Sequence, residues 1–399
     1  MDWNNIPHAK RHEFFDKDYC WQYQMRLSNL DNQLEKAGLS KKEASKLRVS
    51  DFEFFPVMHP IDYPAPVLEP KWSKDKKVWK EYSASLSTYK LKLSSYEDEK
   101  KKFEKDNPII IIDYKKKCLE IKEFIEENEW LQRMPNRPTH RFIVRLKSTG
   151  QLAGVVAISI PNSFSHVLGK EYKYSDRLIS RGACISWAPK NLGSALIMYS
   201  VKWMAKNQNW KYFTAYSDPD ANELGTIYQA CNFYYMGQSI KKDGTPILVK
   251  QYYDDGYFDG KKKGWFSDRE FRKKSWWMKY AKRIEPEFYK KIGMPDYKEK
   301  MFGFLSWAKA KKVDPPLALK WKPNWDLMEK KYTGLKERLE QERDKYIASC
   351  RVRETLPKHK YIYILGKDKR ETKYLKKLFF ENNPKLKGKE FNYPTERGK

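Results

Sequence analysis

Cysteine is scarce and scattered in this sequence. The 399 residues include five cysteines, and no two of them have Cys-x-x-Cys spacing. An odd number without paired spacing argues against a disulfide framework and against a zinc ribbon. The sequence therefore predicts free thiols in a reducing compartment such as the cytoplasm, and no metal site. Cys184 and Cys231 lie in apolar stretches and are expected to fill core space rather than act as nucleophiles.

Several other signatures are missing. No run of about 20 apolar residues occurs, so no membrane span is expected. The first residues, MDWNNIPHAKRHEFF, lack the apolar segment of a secretory signal. No Gly-x-x-x-x-Gly-Lys-Ser loop is present, and neither His140 nor His166 has a neighbouring serine and aspartate. These absences argue against an ATP-driven motor and against hydrolysis by a Ser-His-Asp triad.

Positive charge and aromatic rings are present in excess. Lys and Arg number 80 against 52 Asp and Glu, a formal net charge of +28, and 15% of the residues are aromatic. A charge of this size attracts polyanions over long distances, so a nucleic acid is the expected partner and a membrane surface is not. The aromatic content is too high for a disordered chain.

Changes in composition predict three segments. Residues 1–106 are expected to form a helical N-terminal extension, and residues 107–252 an α/β core. Residues 253–399 hold 40 Lys and Arg against 22 Asp and Glu, a net of +18, and are the expected nucleic-acid contact. We expect 382–399 to be a loose basic tail. Outside the core, helices are predicted at 73–106, 268–283, 297–311, 324–347 and 368–380, and a strand at 360–365.

The middle segment has the pattern of a mixed α/β sheet. The β-branched run 108–112 predicts a strand, and a helix at 114–130 follows it. A hairpin is predicted across Ser148-Thr149-Gly150. The other predicted elements are strands at 141–146, 152–160, 182–187, 212–216 and 233–236, helices at 192–206 and 222–230, and a last strand at 246–252.

The end of this segment resembles the GNAT acyltransferases. In Tyr228-Gln-Ala-Cys-Asn-Phe233, a helix tyrosine is followed five positions later by an aromatic residue that opens a strand. A more specific resemblance is to Mom-like proteins of bacteriophages, a divergent GNAT branch that modifies adenine in DNA. It covers roughly residues 137–250 and rests on three motifs: Ser180-Arg181-Gly182, Pro189-Lys190-Asn191 with Ser194, and Tyr216-Ser217-Asp218-Pro219 followed by Gly225-Thr226-Ile227-Tyr228-Gln229-Ala230.

The resemblance implies an acetyl-CoA site at the start of the helix 192–206. GNAT enzymes bind the pyrophosphate on the unpaired amides of a helix start, where Asn191, Gly193 and Ser194 lie here. Of the glycines usual at that place, only Gly193 is present. The Ser194 hydroxyl either contacts a phosphate or acyl group or is an ordinary helix residue. Arg181 either meets a phosphate or pairs with an acid at the surface.

The resemblance also implies catalytic roles for Tyr228 and Asp218. The matching GNAT tyrosine gives a proton to the leaving thiolate, and otherwise Tyr228 is a core aromatic residue. Asp218 follows a strand end, where ligands bind in open α/β folds, and it either positions an amine or acts as a base. The alternative for Asp218 is a turn or helix cap. Trp265, Trp276 and Trp277 either stack on an extruded base or fill core space.

The resemblance leads us to expect a phage-encoded DNA-modifying enzyme of Mom-like type in the host cytoplasm. It implies transfer of a group derived from acetyl-CoA to the exocyclic amine of adenine in double-stranded DNA. The carbamoylmethyl-type product of that family protects DNA from restriction. Two alternatives stay open. One is a GNAT enzyme that acylates another amine, in a hypermodified pyrimidine, an RNA or a protein, and the other is a DNA-binding protein with a vestigial GNAT core.

Overall fold

A computed structural model describes residues 16, 18–61, 79–135, 138–161, 165–169, 172, 175–208, 210–256, 264–271, 274–287 and 333–395. The chain forms two compact units: unit 1 is Met1–Pro246 with Pro357–Lys399, and unit 2 is Ile247–Leu356. Within the described ranges, no helix has the length and apolar character needed to cross a membrane. The helix expected at 297–311 lies outside the described residues.

The described elements are ten helices and ten strands, apart from short 3₁₀ turns. The helices are α1 Trp21–Ala37, α2 Lys41–Lys46, α3 Trp79–Asp106, α4 Pro108–Asn128, α5 Leu192–Gln208, α6 Thr226–Ala230, α7 Asp268–Phe271, α8 Lys274–Ile284, α9 Leu335–Ser349 and α10 Lys369–Asn382. The strands are β1 Phe52–Val57, β2 Pro138–Leu146, β3 Leu152–Ser159, β4 Asp176–Cys184, β5 Tyr212–Ser217, β6 Tyr234–Tyr235, β7 Val249–Asp254, β8 Gly264–Ser267, β9 Val352–Thr355 and β10 His359–Ile364.

Unit 1 is built on a seven-stranded mixed sheet with the order β1-β2-β3-β4-β5-β10-β6. All neighbouring strands are antiparallel except β4 and β5, which are parallel. A parallel pair needs a crossover connection, and α5 supplies it. The α5 residues Leu196, Val201 and Met204 are fully buried in the main core. The predicted mixed α/β fold, including the hairpin of β2 and β3, is confirmed.

The last strand of the large sheet is a correction to the sequence analysis. Residues 246–252 were expected to close it, but Val249–Asp254 pairs with β8 and β9 in a separate three-stranded sheet. The strand that closes the large sheet is β10, which lies between β5 and β6. Sequence order does not reveal this return, because the 110 residues of unit 2 separate β6 from β10. The strand signal at 360–365 itself is confirmed.

Two further expectations were wrong. The isoleucine run 108–112 is the first turn of α4, with Pro108 at its start. Only Ile111 is buried there, while Ile109 and Ile112 are 80% and 66% exposed, so one helical face meets the core and no strand partner exists among the described residues. The described part of the tail, 382–395, packs on unit 1, where the Tyr393 hydroxyl donates to the Phe233 carbonyl at 2.8 Å.

Unit 2 has a core of its own, built from aromatic residues. Trp276 is 4% exposed and stacks on Tyr346 with the ring centroids 5.8 Å apart, so it fills core space. Trp265 is half-buried, and the Arg353 guanidinium lies 4.6 Å from its ring. The prediction for Trp277 lies outside the side chains that the structure describes.

Candidate functional site

A cavity opens where the parallel strands β4 and β5 separate. Their pairing runs from Asp176 opposite Tyr212 to Ile179 opposite Ala215 and stops there. Beyond that point β4 stays paired with β3, and β5 stays paired with β10. The gap holds a cavity of about 350 Å³. Open α/β sheets bind ligands at such strand ends, so this cavity is the candidate site.

The walls of the cavity come from distant parts of unit 1. The lining segments are the first residues of α1, the segment after α4, the middle of β4 and the residues from the end of β5 to α6. The lining includes Gln22, Arg26, Glu129, Trp130, Ser180, Arg181, Tyr216, Asp218, Glu223, Tyr228 and Lys358.

A β-bulge at Ser180 sets the direction of Arg181. Ala157 pairs with Arg181 and Ile158 with Ile179, so β4 has one extra residue between them. Bulges bend a strand and redirect side chains, often beside functional sites. The Ser180 hydroxyl closes the bulge by donating to the Ala157 carbonyl at 2.8 Å.

Arg181 forms an ion pair with a buried acid in the cavity lining. Its Nε atom lies 3.8 Å from Glu129 Oε2, and its Nη1 donates to the Ser180 carbonyl at 2.6 Å. Glu129 is only 5% exposed, and its Oε2 accepts from the Leu131 amide at 2.8 Å. Burial raises the pKa of Glu129 to about 7, although the Arg181 charge opposes this shift. Of the two expected roles of Arg181, the ion pair is present, and the acid lies in the wall of the pocket.

A second glutamate also lines the cavity. Glu223 Oε2 accepts from the Asp218 amide at 3.1 Å. Burial raises the pKa of Glu223 to about 7, and the charges of Glu129 and Asp218 push it further in that direction. Each glutamate exchanges a proton near neutral pH, which suits a general acid or base. The sequence analysis missed both, because nothing in the spacing of residues 94 apart shows that they meet.

Asp218 is held by two contacts. Its Oδ2 lies 2.9 Å from Lys358 Nζ, and its Oδ1 accepts from the Asp220 amide at 3.2 Å. It therefore caps the short 3₁₀ helix Pro219–Ala221 and also lies in the cavity. Lys358 precedes β10, so the strand that returns after unit 2 brings a cation to the site. These contacts favour a positioning role for Asp218.

Tyr228 lies on α6 with its ring against Phe233 and Tyr361, at centroid distances of 5.5 Å each. It is half-buried and lines the cavity, so it is not enclosed in packed interior. Burial raises the pKa of the Tyr228 phenol above its usual value, and the nearby Glu223 charge adds to the effect. The phenol therefore keeps its proton at neutral pH.

The start of α5 lies beside the cavity but does not line it. Asn191 has a positive φ of 70°, and its carbonyl accepts from the Ser194 hydroxyl at 3.0 Å. A Cβ on Gly193 would lie 3.1 Å from Ile227 Cδ1, and Ile227 lines the cavity. The structure thus brings Arg181, Asp218 and Tyr228 together and leaves Asn191, Gly193 and Ser194 one residue away.

Comparison with known proteins places most of this site in one family-matched segment. Residues 115–294 match the Mom protein family. The resemblance inferred from the motifs is therefore confirmed over that range, which we call the Mom segment. It contains Glu129, Arg181, Asp218, Glu223 and Tyr228, while the α1 residues and Lys358 lie outside it.

Two other comparisons add little to this assignment. Among solved structures, the chain is similar to the ribosomal-protein-S5-alanine acetyltransferase from Vibrio fischeri. The identity is 19% and the TM-score 0.21, and the match covers 26% of this chain and 52% of that chain. The comparison with curated proteins finds no match. No group of three or more His, Cys, Asp or Glu side chains suited to a metal occurs in the described ranges.

Gly225 fixes the start of α6 and so the position of Tyr228. Its φ is +70°, and a Cβ there would lie 2.6 Å from the Tyr361 ring. We expect Gly225→Ala to lower the free energy of unfolding by about 3 kcal/mol, because it combines left-handed strain with a clash. Gly237→Ala is the matched control, since Gly237 has φ +78° and open space around it.

Denaturant unfolding of the two variants measures this difference. Gly237→Ala should cost only about 1–2 kcal/mol, which is the strain alone. Equal losses in the two variants would mean that Tyr361 gives way to the new methyl group, and that α6 is not fixed by this contact.

Proposed function

We propose that this protein is a DNA-modifying enzyme that transfers a group derived from acetyl-CoA to the exocyclic amine of adenine in double-stranded DNA, and so protects the DNA from restriction. One observation carries the proposal: Arg181, Asp218 and Tyr228 line one cavity at the open end of the parallel strands, inside the Mom segment. All three residues belong to the motifs that carry the Mom-like resemblance.

The residues at the start of α5 fit the diphosphate of a coenzyme. The Gly193 and Ser194 amides donate to no backbone carbonyl among the described residues, and Lys190 and Asn191 are exposed beside them. Unpaired amides and a nearby cation suit an anion. When bound, acetyl-CoA supplies an activated acyl thioester. Asn191, Gly193 and Ser194 would hold its phosphates, which explains why they lie next to the cavity and outside it.

The cavity residues divide the proton transfers between them. An amine that forms a new bond to carbon must lose a proton, and the Glu223 carboxylate is the acceptor that we assign. Asp218 is already paired with Lys358 and positions the adjoining segment. Tyr228 holds its proton on the hydroxyl and is the donor for a leaving group. The Arg181 charge favours the ionised form of Glu129, and both side chains belong to the cavity lining.

The roles assigned to these residues do not account for a carbamoylmethyl product. A simple acyl transfer to the amine does not supply the carbamoyl nitrogen, and it does not oxidise the methyl carbon by two electrons. The proposal for this cavity is therefore group transfer to the base, and the final product depends on chemistry beyond the residues described.

Mass analysis of nucleosides tests the proposal. DNA from cells that express the protein is expected to contain a modified deoxyadenosine that DNA from cells without it lacks. The purified protein should release free thiol from acetyl-CoA when duplex DNA is added. Thiol release with RNA or protein lysine, but not with DNA, would favour the alternative acceptor. Binding of DNA without any release of thiol would favour the other alternative, a DNA-binding protein with a vestigial GNAT core.

A further inference from the structure

A groove lined by lysines lies at the other end of unit 1. It lies between the end of α5 and the start of α10 and has a volume of about 580 Å³. The exposed lysines around it, which we call the lysine face, are Lys202, Lys206, Lys367, Lys369, Lys373 and Lys376. Leu365 lines the groove, and its amide donates to the Lys211 carbonyl just before β5. The groove and the cavity therefore lie at opposite ends of β5, roughly 16–20 Å apart.

The acids near the groove are already engaged. The Glu371 carboxylate binds Lys211, and its Oε2 accepts from the Lys367 amide at 2.7 Å. Asp368 Oδ1 caps α10 by accepting from the Glu371 amide at 2.8 Å. Within the part of the chain that the structure describes, no lysine of the face forms an ion pair with an acidic side chain.

The placement of these charges lowers the stability of the unit. Lys369 and Arg370 are the first two residues of α10, where the helix dipole disfavours positive charge by about 0.3–1 kcal/mol each. Six cations in one groove also repel each other. Lys376 Nζ lies 5.9 Å from the Tyr234 ring centroid, but none of the six has an acidic side-chain partner among the described residues. An arrangement that costs stability and lacks acidic partners fits an external polyanion.

The dimensions favour a duplex over a small anion. Lys369 to Lys376 spans about 10 Å of α10. Lys202 and Lys206 of α5 line the same groove. Double-stranded DNA carries about six phosphate charges over that length, equal to the number of lysines in the face. The six lysines are spread over two helices and the segment before α10, so they are too far apart to bind a single phosphate group.

We propose that the lysine face binds the phosphate backbone of double-stranded DNA. It is a second contact, separate from the cavity, and it uses α5 as well as the basic C-terminal residues. The inference rests on the proposed function for the identity of the polyanion. The α5 lysines place part of the DNA-binding surface before residue 253, whereas the sequence analysis placed all of it after residue 252.

The test compares two variants of equal net charge. The face variant carries Gln at Lys202, Lys206, Lys369 and Lys373. The control variant carries Gln at Lys42, Lys46, Lys115 and Lys116 on α2 and α4, which are exposed and form no ion pair within the described residues. Fluorescence anisotropy with a labelled duplex of about 20 base pairs measures the affinity over a series of salt concentrations.

The face variant should bind roughly ten-fold or more weakly than the wild type, and the slope of log K against log salt should become shallower by about three to four. The control should keep nearly the wild-type slope. The melting temperature of the face variant should be no lower than that of the wild type. Lys369→Gln removes a positive charge from the start of α10, and the other changes reduce the repulsion between the lysines. Equal losses in both variants, or unchanged binding by the face variant, would overturn the proposal.

The result is separable from the proposed function. Thiol release with free deoxyadenosine or a short single strand depends on the cavity and should be unchanged in the face variant. If the wild type binds duplex DNA through the lysine face but never modifies it, the proposed function is wrong and the proposal for the lysine face is retained. If the face variant loses affinity only for double-stranded RNA and still binds DNA like the wild type, the proposal for the lysine face is wrong.

Discussion

Glu223→Gln is expected to lower the rate of DNA modification by about 10²–10⁴-fold at pH 8, because it removes the proposed proton acceptor. The wild-type rate should rise with pH through about 7, where Glu223 loses its proton, and the variant should lose that rise. Gln keeps the oxygen that accepts from the Asp218 amide, so the local fold should persist. Nucleoside mass analysis over pH 5.5–9 measures both effects.

Glu129→Gln is the matched control for this prediction. Glu129 lies in the same cavity and its pKa is also raised to about 7, but it is tied to Arg181 and the Leu131 amide. We expect this variant to retain the pH-dependent rise. A larger loss in Glu129→Gln than in Glu223→Gln would transfer the base role to Glu129.

The same Glu223 variant should gain stability. A carboxyl with a folded-state pKa near 7 and an unfolded value near 4.3 binds more protons when folded, so stability falls as pH rises between these values. At pH 8 that cost is fully present, and Gln removes it. We expect the free energy of unfolding of Glu223→Gln to exceed that of the wild type by about 1–3 kcal/mol at pH 8 and to show no gain at pH 4. A variant that lost both stability and activity would indicate a structural role only.

Tyr228→Phe is expected to lower modification by about 10²-fold or more without lowering the melting temperature, because it removes the proposed proton donor. The ring contacts with Phe233 and Tyr361 are kept, and the hydroxyl forms no hydrogen bond among the described residues, so no buried partner is left unsatisfied. Initial rates of thiol release with duplex DNA, together with thermal melting, measure the two quantities.

Tyr199→Phe provides the comparison for Tyr228. Tyr199 is a half-buried tyrosine on α5 that packs on Phe54 and Phe142, outside the cavity lining. Its loss of a hydroxyl should leave the rate unchanged. Equal rates for the wild type and Tyr228→Phe would remove Tyr228 from the reaction and weaken the acyltransferase proposal as a whole.

Local patterns in the sequence were enough to place most elements of the Mom segment. The prediction of the crossover helix α5 was correct, because its apolar residues recur at helical spacing. The capping box of Ser40 and Glu43 is present at the start of α2. The isoleucine run at 108–112 misled the analysis, because β-branched residues favour strands only where a neighbouring strand exists. The boundary expected at residue 253 also missed that β10 and α10 belong to the sheet and core of unit 1.

The sequence by itself determined the excess of positive charge, the mixed α/β class, and the motif residues Arg181, Asp218 and Tyr228. Each of these depends on composition or on residues close together in the chain. Only the tertiary structure decided that Glu129, Glu223 and Lys358 join them, and that β10 completes the sheet after unit 2. The physical reason is that burial and proximity raise the pKa of a carboxyl, and both depend on chain segments that meet only when the sheet has formed.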